Sequence, residues 1–160
     1  MMREQILTFL ERNSRIDLKE LAILLGSDEA VIANEIQQME KEGIICGYHT
    51  LIDWDKTARE SVTALIELKI SPQEDRGFDK IAEKIRNYPE VQSVYLMSGG
   101  FDLAVFIEGK TLKEVAFFVA QKLAPMNSIQ STATHFVLKK YKDKGVNYGI
   151  PETDERGYEM

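Results

Sequence analysis

The period of the apolar positions changes once along the chain, and that change divides it. In REQILTFLER, Ile6, Leu7 and Leu10 recur at helical spacing with Phe9 widening the stripe, which predicts an amphipathic helix ending near Asn13. IDLKELAILLG predicts a second helix. Asp17 is placed to cap it and Glu20 to complete a capping box, Ile16 and Leu21 form a staple, and Gly26 closes it. A third helix is expected from a Ser27 cap to a stop at Gly43, with Val31, Ile36 and Met39 facing inward. Three short helices joined by tight turns point to a helix-turn-helix. The loosely alternating IICGYHTLID that follows suits a short strand or wing.

From VTALIELKI onward the period is two: Ala64, Ile66, Leu68 and Ile70 share one face, and Pro72 ends the strand. GFDKIAEKIRNYP returns to helical spacing, with Phe78, Ile81, Ala82 and Ile85 on one side and a stop at Pro89. VQSVYLMSGG and FDLAVFIEG read as a hairpin around a Gly-Gly turn. In TLKEVAFFVAQKLAP, Thr111 and Glu114 form a capping-box pair, and Leu112, Val115, Val119 and Leu123 make the inward stripe. SIQSTATHFVLKKY supplies a last strand. The order strand, helix, strand, strand, helix, strand is ferredoxin-like.

The expected fold is therefore α+β: a winged helix-turn-helix over 1–55, a linker over 56–60, a ferredoxin-like domain over 61–142 and an extended tail over 143–160. Two helices cover only one face of a four-stranded sheet. Leu65, and either Tyr95 with Met97 or Val94 with Leu96, must then lie on the other face, and apolar sheet surface of that kind calls for a partner. A homodimer burying sheet against sheet is expected.

Charge and composition sharpen this picture. The 160 residues carry a net charge of −6, and the segment from Met1 to Lys56 holds six Lys or Arg against eleven Asp or Glu. The acidity sits where a helix-turn-helix would meet phosphates, whose binding depends on Lys and Arg. No run of the chain reaches the ~18 apolar residues of a membrane span, and MMREQILTFLER interleaves charges where a signal peptide would be apolar, so a cytoplasmic protein is expected. The single cysteine, Cys46, follows Ile44 and Ile45 and suits a small buried hydrophobe. His49 and His135 lie far apart with no neighbours at ligand spacing, so no metal site, cofactor or catalytic residue is assigned. Trp54 is expected to pack between the domains, and Phe117 and Phe118 in the core or an interface. Tyr148, Ile150 and Tyr158 of the tail are left without a role.

Three motifs then stand in a telling order: EKEGII after the third helix, LIDWDK entering the linker and MSGGFD between the second and third strands. Up to Tyr141 the chain resembles the leucine-responsive (Lrp/AsnC, feast/famine) regulators. That resemblance implies an amino-acid-responsive transcriptional regulator, not an enzyme, binding double-stranded DNA through its N-terminal domain. It also implies a C-terminal domain that holds a small amino-acid-like effector and builds homodimers and, from them, octamers. Carried over by position, it nominates Gly99, Gly100 and Asp102 for the effector, with Thr132 and Thr134 as weaker additions. Glycines let backbone N–H groups approach a carboxylate, and an Asp can hold an ammonium. A Gly-Gly turn with an Asp bonding nearby backbone is the competing local reading.

For DNA, Ser27, Asn34, Gln37 and Gln38 are nominated, because Asn and Gln match adenine edges in a major groove. The departure from the resemblance is that Ile32, Ala33, Asn34, Gln37 and Gln38 occupy outward positions where that family places basic residues, and Cys46 stands where its wing begins with Arg. The alternative is a metabolite-sensing assembly protein with weak or lost DNA binding. An enzyme comes third, since ferredoxin-like scaffolds host many chemistries and some relatives of the family decarboxylate tetrapyrroles.

Overall fold

The computed structural model describes residues 1–71 and 77–149, so the expectations placed on Pro72, Ile150 and Tyr158 fall outside it. The chain divides into two compact units, with the boundary in sequence between Leu51 and Ile52. Among the described residues no helix is long and apolar enough to cross a membrane.

The first unit comprises α1 (Met2–Arg12), α2 (Leu18–Leu25) and α3 (Glu29–Lys41). The Asp17 side chain accepts the Lys19 N–H at the start of α2, and Gly26 ends that helix at φ 60°, a left-handed conformation that glycine adopts without penalty. Ile6, Leu21, Ala22, Ile32 and Met39 form the core, joined by half-buried Ile16, Ile36 and Ile45.

Two expectations for α3 change. Its N-cap is Asp28, while Ser27 lies in the turn with its N–H bonded to the Ala22 carbonyl at 3.0 Å. Its inward stripe is Ile32, Ile36 and Met39: Ile32 is 0% exposed and Val31 is 42% exposed. The reason is spacing, since 32, 36 and 39 follow the i, i+4, i+7 rule and 31, 36 and 39 do not. Downstream of α3 no strand forms over 44–53, because a strand needs a neighbour for its backbone groups and the described residues offer none there. Cys46 is exposed rather than buried, its Sγ 3.2 Å from the Gly43 carbonyl.

The second unit opens with a short 3-10 turn, Trp54–Lys56, where the Arg59 guanidinium stacks 4.2 Å from the Trp54 ring centroid. It continues with β1 (Val62–Ile70), α4 (Gly77–Arg86), β2 (Val91–Leu96), β3 (Leu103–Gly109), α5 (Leu112–Phe118) running into a π-turn (Val119–Leu123), and β4 (Ile129–Phe136). The sheet is antiparallel with order β2-β3-β1-β4. Opposed residues share a face, so Ala64, Ile66 and Leu68 align with Ile107, Val105 and Leu103 under Ile81 and Ile85 of α4 and Val115 and Phe118 of α5. Phe118, not Leu112, completes the α5 stripe: Leu112 and Phe117 are exposed.

The same register settles the other face. Leu65 pairs with Phe106, and Tyr95 packs edge-on to Phe106 at 6.3 Å, so the set containing Tyr95 faces away from the helices and the set containing Val94 faces them. His135 Nε2 lies 3.5 Å from Glu67 on that open face. Beyond β4, the segment expected to be extended begins with a hairpin, β5 (Lys142–Asp143) and β6 (Val146–Asn147).

Replacing Ile32 by Ala empties a fully buried site and is expected to cost about 2–4 kcal/mol, whereas Val31→Ala should stay within about 0.5 kcal/mol. Native-state hydrogen exchange of the α1–α3 amides checks the pair. Equal losses would mean that α3 is rotated from the orientation described.

Candidate nucleic-acid interface and effector site

The rotation of α3 fixes where its charges point. Opposite Ile32, Ile36 and Met39 run Ala30, Asn34, Gln37 and Lys41, all exposed and spaced i, i+4, i+7, i+11. No carboxylate falls in this row. Glu35 and Glu42 sit to one side, where both meet Arg3 of α1: Arg3 Nε is 2.6 Å from Glu35 and Nη1 is 2.8 Å from Glu42. Hydrogen bonds to Glu42 and then Glu35 raise the pKa of Arg3 further, so the guanidinium keeps its charge. On the other flank Glu40 accepts the Tyr48 hydroxyl at 2.8 Å, and desolvation together with that bond raises the Tyr48 pKa.

Of the nominated DNA residues, Asn34 and Gln37 therefore lie at the centre of the outward face. Gln38 sits half-buried at its edge, and Ser27 is half-buried in the turn. Asp28 and Glu29 remain exposed at the start of α3, where they suit the helix dipole and oppose phosphates. Sequence reasoning missed the Arg3 clamp, because an ion pair between residues so far apart leaves no trace in local spacing.

The residues nominated for an effector fall in two groups, a loop at one end of the sheet and two positions along β4. Gly99, Gly100 and Asp102 belong to the loop joining β2 to β3, which is longer than a two-residue turn and is closed by the Met97 N–H to the Asp102 carbonyl at 2.8 Å. Gly99 has φ 131°, which an L side chain rarely adopts. A Cβ at Gly100 would meet nothing within 4 Å, so its backbone is open to an incoming group.

Asp102 is partly committed to the protein. Its Oδ2 accepts the Ile70 N–H at 2.7 Å, and its own N–H donates to the Leu68 carbonyl at 2.9 Å. These bonds tie the loop to the end of β1, where the β1–β4 register shifts between Lys69 and Ile70. Thr132 and Thr134 pair with Leu68 and Ile66 across β1, on the helix side. Thr132 thus shares the loop's end of the sheet, but two strand spacings, roughly 9–10 Å, separate it from β3, and Thr134 lies about 7 Å further along. One chain does not gather the five residues around a single point.

Two surface hollows are found elsewhere. One of about 540 Å³ lies between α4 and β2, lined by Asp79, Arg86, Gln92 and Ser93 among others, and one of about 510 Å³ lies beside Trp54, Arg59 and Lys110. Neither includes any nominated effector residue.

The Lrp/AsnC ligand binding domain family matches residues 63–146, which spans the sheet, both of its helices and most of the β5–β6 hairpin. The helix-turn-helix transcriptional regulator YugG of Bacillus subtilis (strain 168) is 44% identical over 153 residues, covering 95% of this chain and 92% of that one.

The chain belongs to the Lrp/AsnC family.

Solved members share the fold. A transcriptional regulator of Neisseria meningitidis in complex with L-Met superposes with a TM-score of 0.71 at 23% identity, over 94% of each chain. Escherichia coli AsnC gives 0.66 at 22% identity, over 87% of this chain and 91% of that one. Membership makes the expected architecture, helix-turn-helix followed by a ferredoxin-like domain, that of an Lrp/AsnC chain.

Asp102→Ala leaves the part-buried Ile70 N–H without its acceptor and is expected to destabilise the second unit by about 1–2 kcal/mol. Asp102→Asn keeps an acceptor oxygen and should cost less than about 0.5 kcal/mol. Urea denaturation of the full chain followed by sheet circular dichroism compares them. Equal losses would show that the charge, not the hydrogen bond, holds the loop.

Proposed function

We propose that this Lrp/AsnC chain is a transcriptional regulator that lays α3 in the major groove of double-stranded DNA, assembles through its second unit and responds to a small amino-acid-like effector. The observation that carries the reading is the carboxylate-free row of Ala30, Asn34, Gln37 and Lys41 on the outward side of α3. Amide side chains at its centre can pair with adenine edges, and Lys41 supplies one cation at the helix end. Glu35 and Glu42 stand aside, both bound to Arg3, and Glu40 lies on the other flank with Tyr48. A helix with those charges can therefore approach a groove.

Asp28 and Glu29 keep the phosphate contribution small at the end of α3 that enters the groove. Neutralising them as Asp28→Asn with Glu29→Gln is expected to raise DNA affinity several-fold without changing sequence preference. Asn34→Ala with Gln37→Ala should instead flatten the preference by about 1–3 kcal/mol per lost amide–base pairing. Selection from a random duplex pool, followed by titration of the enriched sequence, reads both. Indifference of the wild-type chain to enriched and random duplex at low salt would remove the DNA reading altogether.

For assembly, the open sheet face carries Leu65, Tyr95 and Phe106, with Tyr95 49% exposed. A second copy of the same face covers it by two-fold symmetry. A dimer also gives the effector residues what one chain lacks, since walls from two copies can close around Gly99, Gly100, Asp102, Thr132 and Thr134. The neighbour in complex with L-Met supports an amino acid as the ligand class here. Regulation follows if the ligand favours one assembly over another. Leu65→Lys is expected to convert the assembly to monomer in light scattering at micromolar concentration, with the helical signal of the first unit retained. An unchanged mass would place the contact on another surface.

A further inference from the structure

The strongest concentration of positive charge lies outside the helix-turn-helix. Residues 139–144 read KKYKDK, four lysines against one aspartate, in a chain whose first 56 residues hold eleven acids and six bases. We propose that the β5–β6 hairpin and the lysines leading into it form a second contact with the phosphate backbone of duplex DNA. The proposal rests on the reading of the chain as a DNA-binding regulator and adds the phosphate contribution that α3 lacks.

The hairpin is built to present these groups. Lys144 and Gly145 turn the chain with both φ angles positive, 49° and 83°, the primed turn that matches the twist of a two-stranded ribbon. Lys142 pairs with Asn147 and Asp143 with Val146. The Tyr148 N–H closes the base onto the Tyr141 carbonyl at 2.9 Å, and Tyr148 is 6% exposed. The ammonium of Lys140 rests 5.0 Å from the Tyr148 ring centre and 3.5 Å from Asp143, so one of the four lysines serves the hairpin itself. Lys139, Lys142 and Lys144 are exposed, and among the described residues none has a carboxylate within 4.0 Å.

Lys139 lies 4.9 Å from the ring of Tyr141, which is 65% exposed. That contact orients its charge without neutralising it. Lysine is depleted from the buried centres of protein interfaces, whereas exposed ammonium groups beside a phenol suit phosphate oxygens. The charge pattern thus favours a nucleic acid over a second protein surface.

The test uses the full chain with Lys139→Gln, Lys142→Gln and Lys144→Asn, the last chosen because Asn tolerates the positive φ of the turn. Binding to random-sequence duplex DNA is measured across a salt series. Each lysine on a phosphate contributes about 0.9 to the slope of log affinity against log salt, so the triple variant should lose roughly 2 to 3 from that slope. Between about 50 and 200 mM salt the wild type should therefore lose roughly 40-fold more affinity than the variant. Restoring charge with Arg at all three positions should recover the wild-type slope. A wild-type slope in the triple variant overturns the hairpin contact while leaving the α3 reading intact. A change of assembly mass with an unchanged slope overturns it in favour of a contact between copies. If the wild-type chain binds no duplex at all, both readings fall together.

Discussion

The roll of α3 about its own axis governs what the first unit offers to its surroundings. Ile32, Ile36 and Met39 lock that roll by burying against α1 and α2, and each step of 100° then assigns every other residue of the helix a direction. Because the lock is hydrophobic, it is set independently of charge. The acids take whatever sectors the core leaves them. Arg3 meets the two that face α1, bridging the helices at their rim, and its single positive charge offsets one of those two negative charges. An exposed ion pair adds little to stability, so its main effect is on the field the helix projects rather than on the fold.

The second unit shows the same division between what is locked and what is left over. Alternation in β1 and β3 commits one sheet face to the helices, and the register leaves aromatic and aliphatic side chains on the other. The loop after β2 is held by Asp102 to the end of β1, so the glycines beside it are displayed on a fixed frame. With open backbone at Gly100, the loop supplies one wall of the site proposed above, and a wall needs an opposite side. Assembly and effector binding are on this view one geometrical problem.

Much of this was legible in the sequence, for identifiable reasons. The strand faces of the sheet, two of the three expected caps, Asp17 and Thr111, and the order of helices and sheet strands follow from local rules of period and capping. In α3 the helical rule falls one residue out of phase, with Val31 taken for Ile32; in α5 the phase is right, but the stripe begins one position too early in the pattern, at exposed Leu112, and omits buried Phe118. The strand expected after α3 did not form for another reason, since a strand's existence depends on a neighbour that alternation alone cannot supply. Residues of the candidate site were placed by resemblance. Their spacing across β3, β1 and β4, the Asp102 bond to Ile70 and the Arg3 clamp are tertiary facts with no signature in the order of residues.

The exposure of Cys46 carries a practical consequence for anyone handling the protein. It is the sole thiol of the chain, and it lies five residues past the end of α3 on open surface. In air, two molecules can join through it, and such a covalent pair would imitate genuine self-association in any sizing experiment. Blocked with a maleimide dye, the same sulfur becomes a single reporter beside the helix of greatest interest.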